Sequence, residues 1–342
     1  MNQAASEEAR LLVVNQQYDV IVVGGASAGL TAALYTARQG LKTLVITKDI
    51  GGQALLTNSI QNYPGFADVS GFELMTKFQE QAALYGAEFL YDEVVVINQA
   101  EEGCFSVGTK NREFQACSVI LAFGKTPRDL GVPGEETLKG RGVSYCAVCD
   151  GPLFKGKVVA VVGSGDPALE AANYLAGVAA KVYLVQRTQR PIGDEGLVQT
   201  LKSMGNVEFV NDAVVASING AVKVESLTLR KASLKSDGER RLEVEGVFVE
   251  MGYVTKTEFV KNLVELNGLG EIVVDKNGAT SMPGVFACGD VTDTPYKQAV
   301  VSAGQGATAA LSAYNYIQRL RGKSTSKADW KSIKPKATVS AV

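Results

Sequence analysis

Apolar residues fall along this chain in short continuous runs, separated by glycine turns and by stretches with helical spacing. From Tyr18 the sequence reads YDVIVVGGASAGLTAALYTARQGLKTLVI. Val20 to Val23 reads as a buried parallel strand, a glycine-rich turn follows, Leu30 to Arg38 has helical periodicity, and Thr43 to Ile46 reads as a second strand. The same order returns in KVVAVVGSGDPALEAANYLAGVAAKVYLVQR, Lys157 to Arg187. Further on, Val285 to Ala287 reads as a short strand that Gly289-Asp290 ends, and Gln298 to Ile317 alternates small and apolar residues at helical spacing. Two βαβ units in one chain predict an α/β protein with two Rossmann-like, three-layer domains.

The first turn is Gly24-x-Ala26-x-x-Gly29, a dinucleotide fingerprint with alanine in the middle position. Gly24 permits the tight turn, and the small Ala26 lets the backbone approach a pyrophosphate. Gly29 lets the helix lie close to the strand with its N-terminus toward the anion. The second turn is Gly163-x-Gly165-x-x-Ala168, with Asp166 and Pro167 inside it. Structural turns carry glycines too; the order strand, turn, helix, strand is what points to a nucleotide. The last helix has two readings. Its small residues allow close packing in a core, or its N-terminus faces an electron-rich ring while Asp290 holds a ribityl or ribose hydroxyl.

Composition narrows the chemistry. A chain of 342 residues with 46% hydrophobic content predicts two domains or three small ones. A net charge of -2 with no polybasic footprint argues against nucleic acid as a partner. The opening MNQAASEEARLLVV has an apolar run too short for a signal peptide or a membrane span, so a cytoplasmic protein with no membrane partner is expected. There is no histidine, which excludes histidine triads, histidine metal ligands and an imidazole base. Five cysteines are present; Cys146 and Cys149 form a Cys-x-x-Cys within SYCAVCDG, and Cys104, Cys117 and Cys288 stand alone in sequence. With no second Cys-x-x-Cys no metal is expected, and redox chemistry remains for the pair.

Taken together, GGASAGLTAALYTAR, Gly51 to Gln53, QNYPGF around Asn62, CAVCDG, GSGDPALEAANYL, MPGVFACGDV and the KQA of Lys297 to Ala299 resemble one family. It is the low-molecular-weight thioredoxin reductases, which are FAD-containing disulfide oxidoreductases, and the match runs from about Tyr18 to Ile317. The resemblance implies a discontinuous FAD domain, residues 18–126 and 253–318, with a pyridine-nucleotide-type domain inserted over 127–252. Residues 1–17 would be an N-terminal extension and 319–342 a basic tail. It also implies a homodimer, and a rotation that presents either the dithiol or the nicotinamide to the flavin. By this resemblance Gly24, Ala26, Ser27, Ala28, Gly29, Thr47, Gly52, Gln53, Asn62, Gly289, Asp290, Lys297, Gln298 and Ala299 would line FAD. Cys146 and Cys149 would be the redox disulfide, and Asp150 the acid/base. In such a pair near a helix start one thiol is depressed in pKa and attacks a partner disulfide, while the other resolves the intermediate or meets the flavin. A desolvated Asp150 would shuttle the proton. The competing reading makes Asp150 a turn or cap residue beside Gly151-Pro152.

Members of the family that use NADPH carry His-Arg-Arg-x-x-x-Arg after the second strand of this unit, as cations for the 2′-phosphate. Here VYLV is followed by QRTQRPIG. Gln186 stands for the histidine, Arg187 is kept, Thr188 replaces the second arginine and Ile192 the last; Pro167 removes a backbone N–H from the phosphate cradle. Charged hydrogen bonds contribute roughly 1.5–3 kcal/mol each. Losing two predicts NADPH binding weakened by roughly two to four orders of magnitude, less whatever Arg190 restores. NADPH is therefore not the expected donor, although Gln186 accepting a ribose 2′-hydroxyl would suit NADH. Gly163, Gly165, Asp166, Pro167, Ala168, Gln186 and Arg187 would form a second nucleotide site, with a second FAD favoured slightly over a loop kept only for packing. The activities left open are a diflavin-linked oxidoreductase, a ferredoxin-dependent thioredoxin reductase, a conventional NAD(P)H enzyme, and a flavin-bearing redox sensor acting through partner binding. A thioredoxin-like protein is the expected dithiol partner. The tail RLRGKSTSKADWKSIKPKATVSAV is either solvated or docks an acidic partner such as ferredoxin, with Trp330 against an aromatic cofactor.

Overall fold

The computed structural model describes residues 12–56, 60–101, 103–233, 238–325 and 333–335. Within these, residues 12–16, 56, 101 and Cys149 are described by their backbone only, and Trp330 lies outside the described residues. The chain opens with strand β1 (Leu12–Val23), helix α1 (Ser27–Arg38), strand β2 (Thr43–Thr47) and helix α2 (Gly71–Leu84). Strands β3 (Glu88–Tyr91), β4 (Val94–Glu101), β5 (Cys104–Thr109) and β6 (Arg112–Leu121) follow. The middle of the chain supplies β7 (Thr126–Pro127), α3 (Glu135–Leu138), β8 (Val143–Ser144), α4 (Ala147–Asp150), β9 (Val158–Gly163), α5 (Asp166–Ala176), β10 (Lys181–Val185) and α6 (Glu195–Ser203). Next come β11 (Val207–Val210), β12 (Ala213–Asn219), β13 (Ser226–Lys231), β14 (Arg240–Glu243), β15 (Gly246–Glu250) and β16 (Tyr253–Val254). Strand β17 (Val285–Ala287) and helix α7 (Ala299–Leu320) complete the set.

These elements divide into two compact units. One takes the described residues of Met1–Leu55, Ser59–Lys125 and Thr255–Val342, the other those of Thr126–Val254 and Leu56–Asn58. In the first unit β3, β2, β1, β6 and β17 run parallel in that order, and β5 and β4 extend β6 as an antiparallel meander. The apolar run that marks β1 is buried on both sides because alternate residues serve opposite faces. Ile21 and Val23 enter a core with Phe105, Val107 and Phe114 of the meander, whereas Val20 and Val22 meet alanines of α1 and α7. Each fully buried valine or isoleucine contributes about 1.5–3 kcal/mol. Strand β1 starts at Leu12, ahead of Tyr18, and its first residues pair with β6 across an irregularity between Val13 and Gln17.

The second unit repeats the plan. Strands β11, β10, β9, β15 and β8 form a parallel sheet, and β12, β13 and β14 an antiparallel one. Strand β9 illustrates the layering. Val159 and Val161 pack with α5 and α6 residues such as Leu169 and Leu201, while Ala160 and Val162 share a core with Leu227 and Leu242 of the small sheet. Both units are Rossmann-like, with three layers. Among the described residues no helix is long and apolar enough to cross a membrane.

Helix α7 crosses α1 at very short range. A Cβ on Gly306 would lie 2.2 Å from the carbonyl oxygen of Ala28. Gly306→Val is therefore expected to force the helices apart and lower stability by about 1–3 kcal/mol, read as a reduced thermal midpoint. Gly304→Ala is the control, because its added carbon meets open space; it leaves the midpoint unchanged or raises it.

Candidate functional site

The first glycine turn is shaped by what its neighbours forbid. Gly24 has φ +115°, and a Cβ there would lie 2.3 Å from the carbonyl oxygen of Ala122. A Cβ on Gly29 would lie 2.0 Å from the carbonyl oxygen of Gly24, so the helix can begin against the strand only with glycine. Helix α1 has Ala26 at its N-cap, no side-chain cap and no acidic residue in its first turn. Its leading N–H groups are thus directed outward, and the partial positive charge there is not cancelled locally. Around this terminus Gly51 N–H donates to Gly25 C=O at 2.8 Å, and a Cβ on Gly52 would touch Ala26. The Thr47 hydroxyl donates to the Asp49 carbonyl at 2.6 Å, and the Gln53 amide to the Lys125 carbonyl at 3.1 Å.

The C-terminal elements come to the same place. Ser27 Oγ donates to the carbonyl of Ala299 at 2.7 Å, and Asn62 Nδ2 to Gln298 Oε1 at 3.2 Å. A Cβ on Gly289 would lie 2.8 Å from Ala28 Cβ, and Asp290 Oδ1 accepts from Ser302 Oγ at 3.1 Å. The residues assigned to FAD by resemblance, Lys297 apart, gather as backbone N–H groups, small side chains, the amides of Gln53, Asn62 and Gln298, and one carboxylate. That donor set fits a pyrophosphate joined to a polyhydroxyl chain. Lys297 has a different role, since its Nζ donates to the Asp290 and Thr292 carbonyls and pairs with Glu271 at 3.1 Å. Lys125 pairs with the same Glu271 oxygen at 2.9 Å. Burial alone would raise the Glu271 carboxyl, but hydrogen bonds from Lys125, Asn267 and Lys297 hold it at about 2. Sequence reading does not reach Glu271 or Lys125, because their partnership spans 146 positions and leaves no local pattern.

The second glycine loop also lies against a strand. A Cβ on Gly163 would lie 2.1 Å from the carbonyl oxygen of Glu250, and Gly165, φ +83°, is the N-cap of α5 with no side-chain cap. Pro167 stands in the first turn. Asp166 Oδ1 accepts from Asp194 N–H at 2.7 Å. Ala168 is fully buried. At the end of β10 the surroundings differ from a 2′-phosphate site. Gln186 is fully buried, and among the described residues its Nε2 and Oε1 and the Thr188 Oγ1 find no hydrogen-bond partner. A ribose contact from Gln186 requires its side chain to leave that position. Arg187 and Ile192 are exposed. Glu250, half-buried at the end of β15, has its carboxyl pushed up to about 7 by burial and then by the charge of Glu170.

The cysteines lie between β8 and β9. Cys146 is half-buried and disulfide-bonded, and Cys149 lies on the one-turn helix α4; its side chain is outside the described residues. Ser144 braces this segment in both directions, because its Oγ accepts from Cys146 N–H at 3.1 Å and donates to Cys146 C=O at 3.2 Å. Asp150 N–H closes the turn onto Cys146 C=O at 3.2 Å. Asp150 stands at the N-cap of the next turn, Gly151–Phe154, without capping it through its side chain. Cys288 is fully buried, its thiol pushed up to about 12 by that burial, which makes it inert.

The first Rossmann-like unit thus carries a glycine-rich cradle, and the second a Cys-x-x-Cys. The chain belongs to the pyridine nucleotide-disulphide oxidoreductase family, whose model matches residues 18–306. It is 40% identical over 320 residues to the F component of alkyl hydroperoxide reductase from Pseudomonas putida, covering 92% of this chain and 61% of that protein. The chain thus spans about three fifths of such curated relatives. Among solved structures it resembles the thioredoxin reductase of Lactococcus lactis, with 35% identity, TM-score 0.76, and 88% and 99% of the two chains covered. It also resembles a ferredoxin-flavin thioredoxin reductase of Clostridium acetobutylicum, with 33% identity, TM-score 0.51, and 90% and 100% covered.

The Glu250 environment gives a pH signature. Its carboxyl keeps a proton in the fold that the unfolded chain releases near its ordinary value of 4.5. Stability therefore falls as pH rises from that value through about 7, and the loss is complete above it. Glu250→Gln is expected to raise the thermal midpoint at about pH 8 and change it little at about pH 4. Parallel pH profiles for the two proteins would exclude this account.

Proposed function

We propose that the protein moves electron pairs between FAD held by the first unit and a Cys146–Cys149 disulfide. It exchanges them with a thioredoxin-type protein and takes them from a donor other than NADPH. The observation that carries the donor argument is the end of β10, where Gln186 and Thr188, with buried side-chain atoms that find no partner among the described residues, occupy positions that need exposed cations. A 2′-phosphate has only Arg187 and, from a shifted place, Arg190 to meet it.

FAD, when bound, supplies a carrier that accepts two electrons and passes them on as a pair. The chain's own groups do the rest. The cradle N–H groups of α1 hold the pyrophosphate, and Asp290 takes hydroxyls. Ser144 fixes the backbone on which Cys146 rides. Thiolate attack on a partner disulfide releases one partner thiolate and forms a mixed disulfide, which the second cysteine resolves. Asp150, its side chain free of capping duty, holds or returns the thiol proton.

The uncapped loop at Gly163–Gly165 supports a second nucleotide without a 2′-phosphate, and a second FAD is the favoured occupant. A ferredoxin donor is the other reading. It is favoured by the carboxylates of Glu250 and Glu170, which repel a pyrophosphate when ionised, and by the N–H that Pro167 removes. Two copies of the chain would share the apolar surface of Leu34, Tyr35, Phe78 and Val300.

The test is FAD per polypeptide on the purified protein, followed by anaerobic addition of NADPH, NADH and reduced ferredoxin. Two flavins support the second-nucleotide reading. One flavin that only ferredoxin reduces supports the other, and rapid bleaching by NADPH overturns the donor argument. Cys149→Ser is expected to keep its flavin and to lose turnover with thioredoxin by at least about a hundredfold. Full activity in that variant would remove the disulfide from the mechanism, and a wild type that changes partner binding without cycling would make it a sensor.

A further inference from the structure

Two of the three cysteines outside the Cys-x-x-Cys are brought together by the meander of the first unit. Strands β5 and β6 run antiparallel with Phe105 opposite Ala116, Ser106 opposite Gln115 and Val107 opposite Phe114. One further step along this ladder sets Cys104 opposite Cys117. Phe105, Val107, Phe114 and Ala116 all enter one core, so alternation turns Cys104 and Cys117 together to the other face, where Cys117 packs beside α1 and α7. Both thiols are free and half-buried.

We propose that Cys104 and Cys117 are a second dithiol, separate from the Cys-x-x-Cys, which a hydroperoxide closes into a cross-strand disulfide. The Cys104 sulfur attacks a peroxide oxygen, the O–O bond breaks, and water or an alcohol leaves, giving a sulfenic acid. The Cys117 thiol then forms the S–S bond and the sulfenic oxygen leaves as water. Two thiols lose two electrons and two protons, and one peroxide is reduced. Directly opposed Cβ atoms in such a ladder are about 4.5–5.5 Å apart. A disulfide needs about 3.5–4.5 Å, so closure draws the strands in by roughly an ångström.

The surroundings assign the order of attack. Burial pushes the Cys117 thiol up, the charges of Asp19 and Cys104 add to this, and Arg321 opposes it. Cys117 is therefore the resolving thiol. Gly103, with φ +76°, precedes Cys104, and a Cβ there would meet Leu320 at the end of α7. Arg321, just past α7, pairs with Asp19 of β1. Closing the disulfide would pin the meander beside this ion pair and fix the C-terminal end of α7.

The test uses the full chain carrying Cys146→Ser and Cys149→Ser, so that no internal dithiol reverses the reaction. The reduced protein is treated with hydrogen peroxide, its remaining thiols are alkylated, and peptides are mapped by mass. The expected result is a reductant-sensitive peptide joining Cys104 to Cys117, at least about tenfold above the untreated sample. Cys117→Ser in the same background should lose the cross-link and leave Cys104 as sulfenic acid. The proposal is overturned if both cysteines stay open to alkylation after peroxide, or if each oxidises further without forming the joined peptide.

Discussion

The contact on which the rest of the first unit depends is the close crossing of α1 and α7. It joins two segments from opposite ends of the chain, and one hydrogen bond, Ser27 to Ala299, spans 272 positions. Only glycine at Gly306 permits the approach to the Ala28 backbone. The crossing sets Gly289 and Asp290 against the start of α1, and so turns a helix terminus into a cradle closed from two directions. A larger residue at the crossing would separate the uncapped N–H groups of α1 from the Asp290 carboxylate. Packing and the shape of the cradle are thus one constraint here, and the small residues that read as core filler in the last helix serve both.

The parts legible in the sequence are those whose physics is local. A run such as Val20–Val23 must be a strand buried on both faces, and Gly24, with φ +115°, marks the turn that ends it. The short strand Val285–Ala287 lies where its apolar run puts it. The β4–β5 meander and the small sheet of β12, β13 and β14 are not legible, since their pairing depends on partners that periodicity does not name. The same limit applies at the site. Ser144 bracing Cys146, and Glu271 held between Lys125 and Lys297, are ordinary polar residues until the fold brings them to their partners. Gln186 suggests a ligand contact because it replaces a histidine, yet a change of residue type carries no information about burial.

In the second unit the polar groups around the glycine loop work against one another. The loop offers N–H donors to an anion, yet Glu250 and Glu170 stand near it, and the carboxyl of Glu250 gives up its proton only near pH 7. Two amide atoms of Gln186 and a hydroxyl of Thr188 lie buried without hydrogen-bond partners among the described residues. The second unit thus combines a Rossmann-like backbone with a loop region that carries both N–H donors and carboxylates.

Strands β7 and β16 are only two residues each, and they pair with one another, Pro127 opposite Tyr253 and Thr126 opposite Val254. The chain thus leaves the first unit and returns to it through a single short antiparallel pairing. In terms of chain topology, the whole second unit is the loop of a hairpin. The entropy of closing a loop grows only with the logarithm of its length, about 0.6 kcal/mol for each doubling. To the first unit, an inserted domain at this point is scarcely more demanding than a long surface loop, because closing either costs nearly the same.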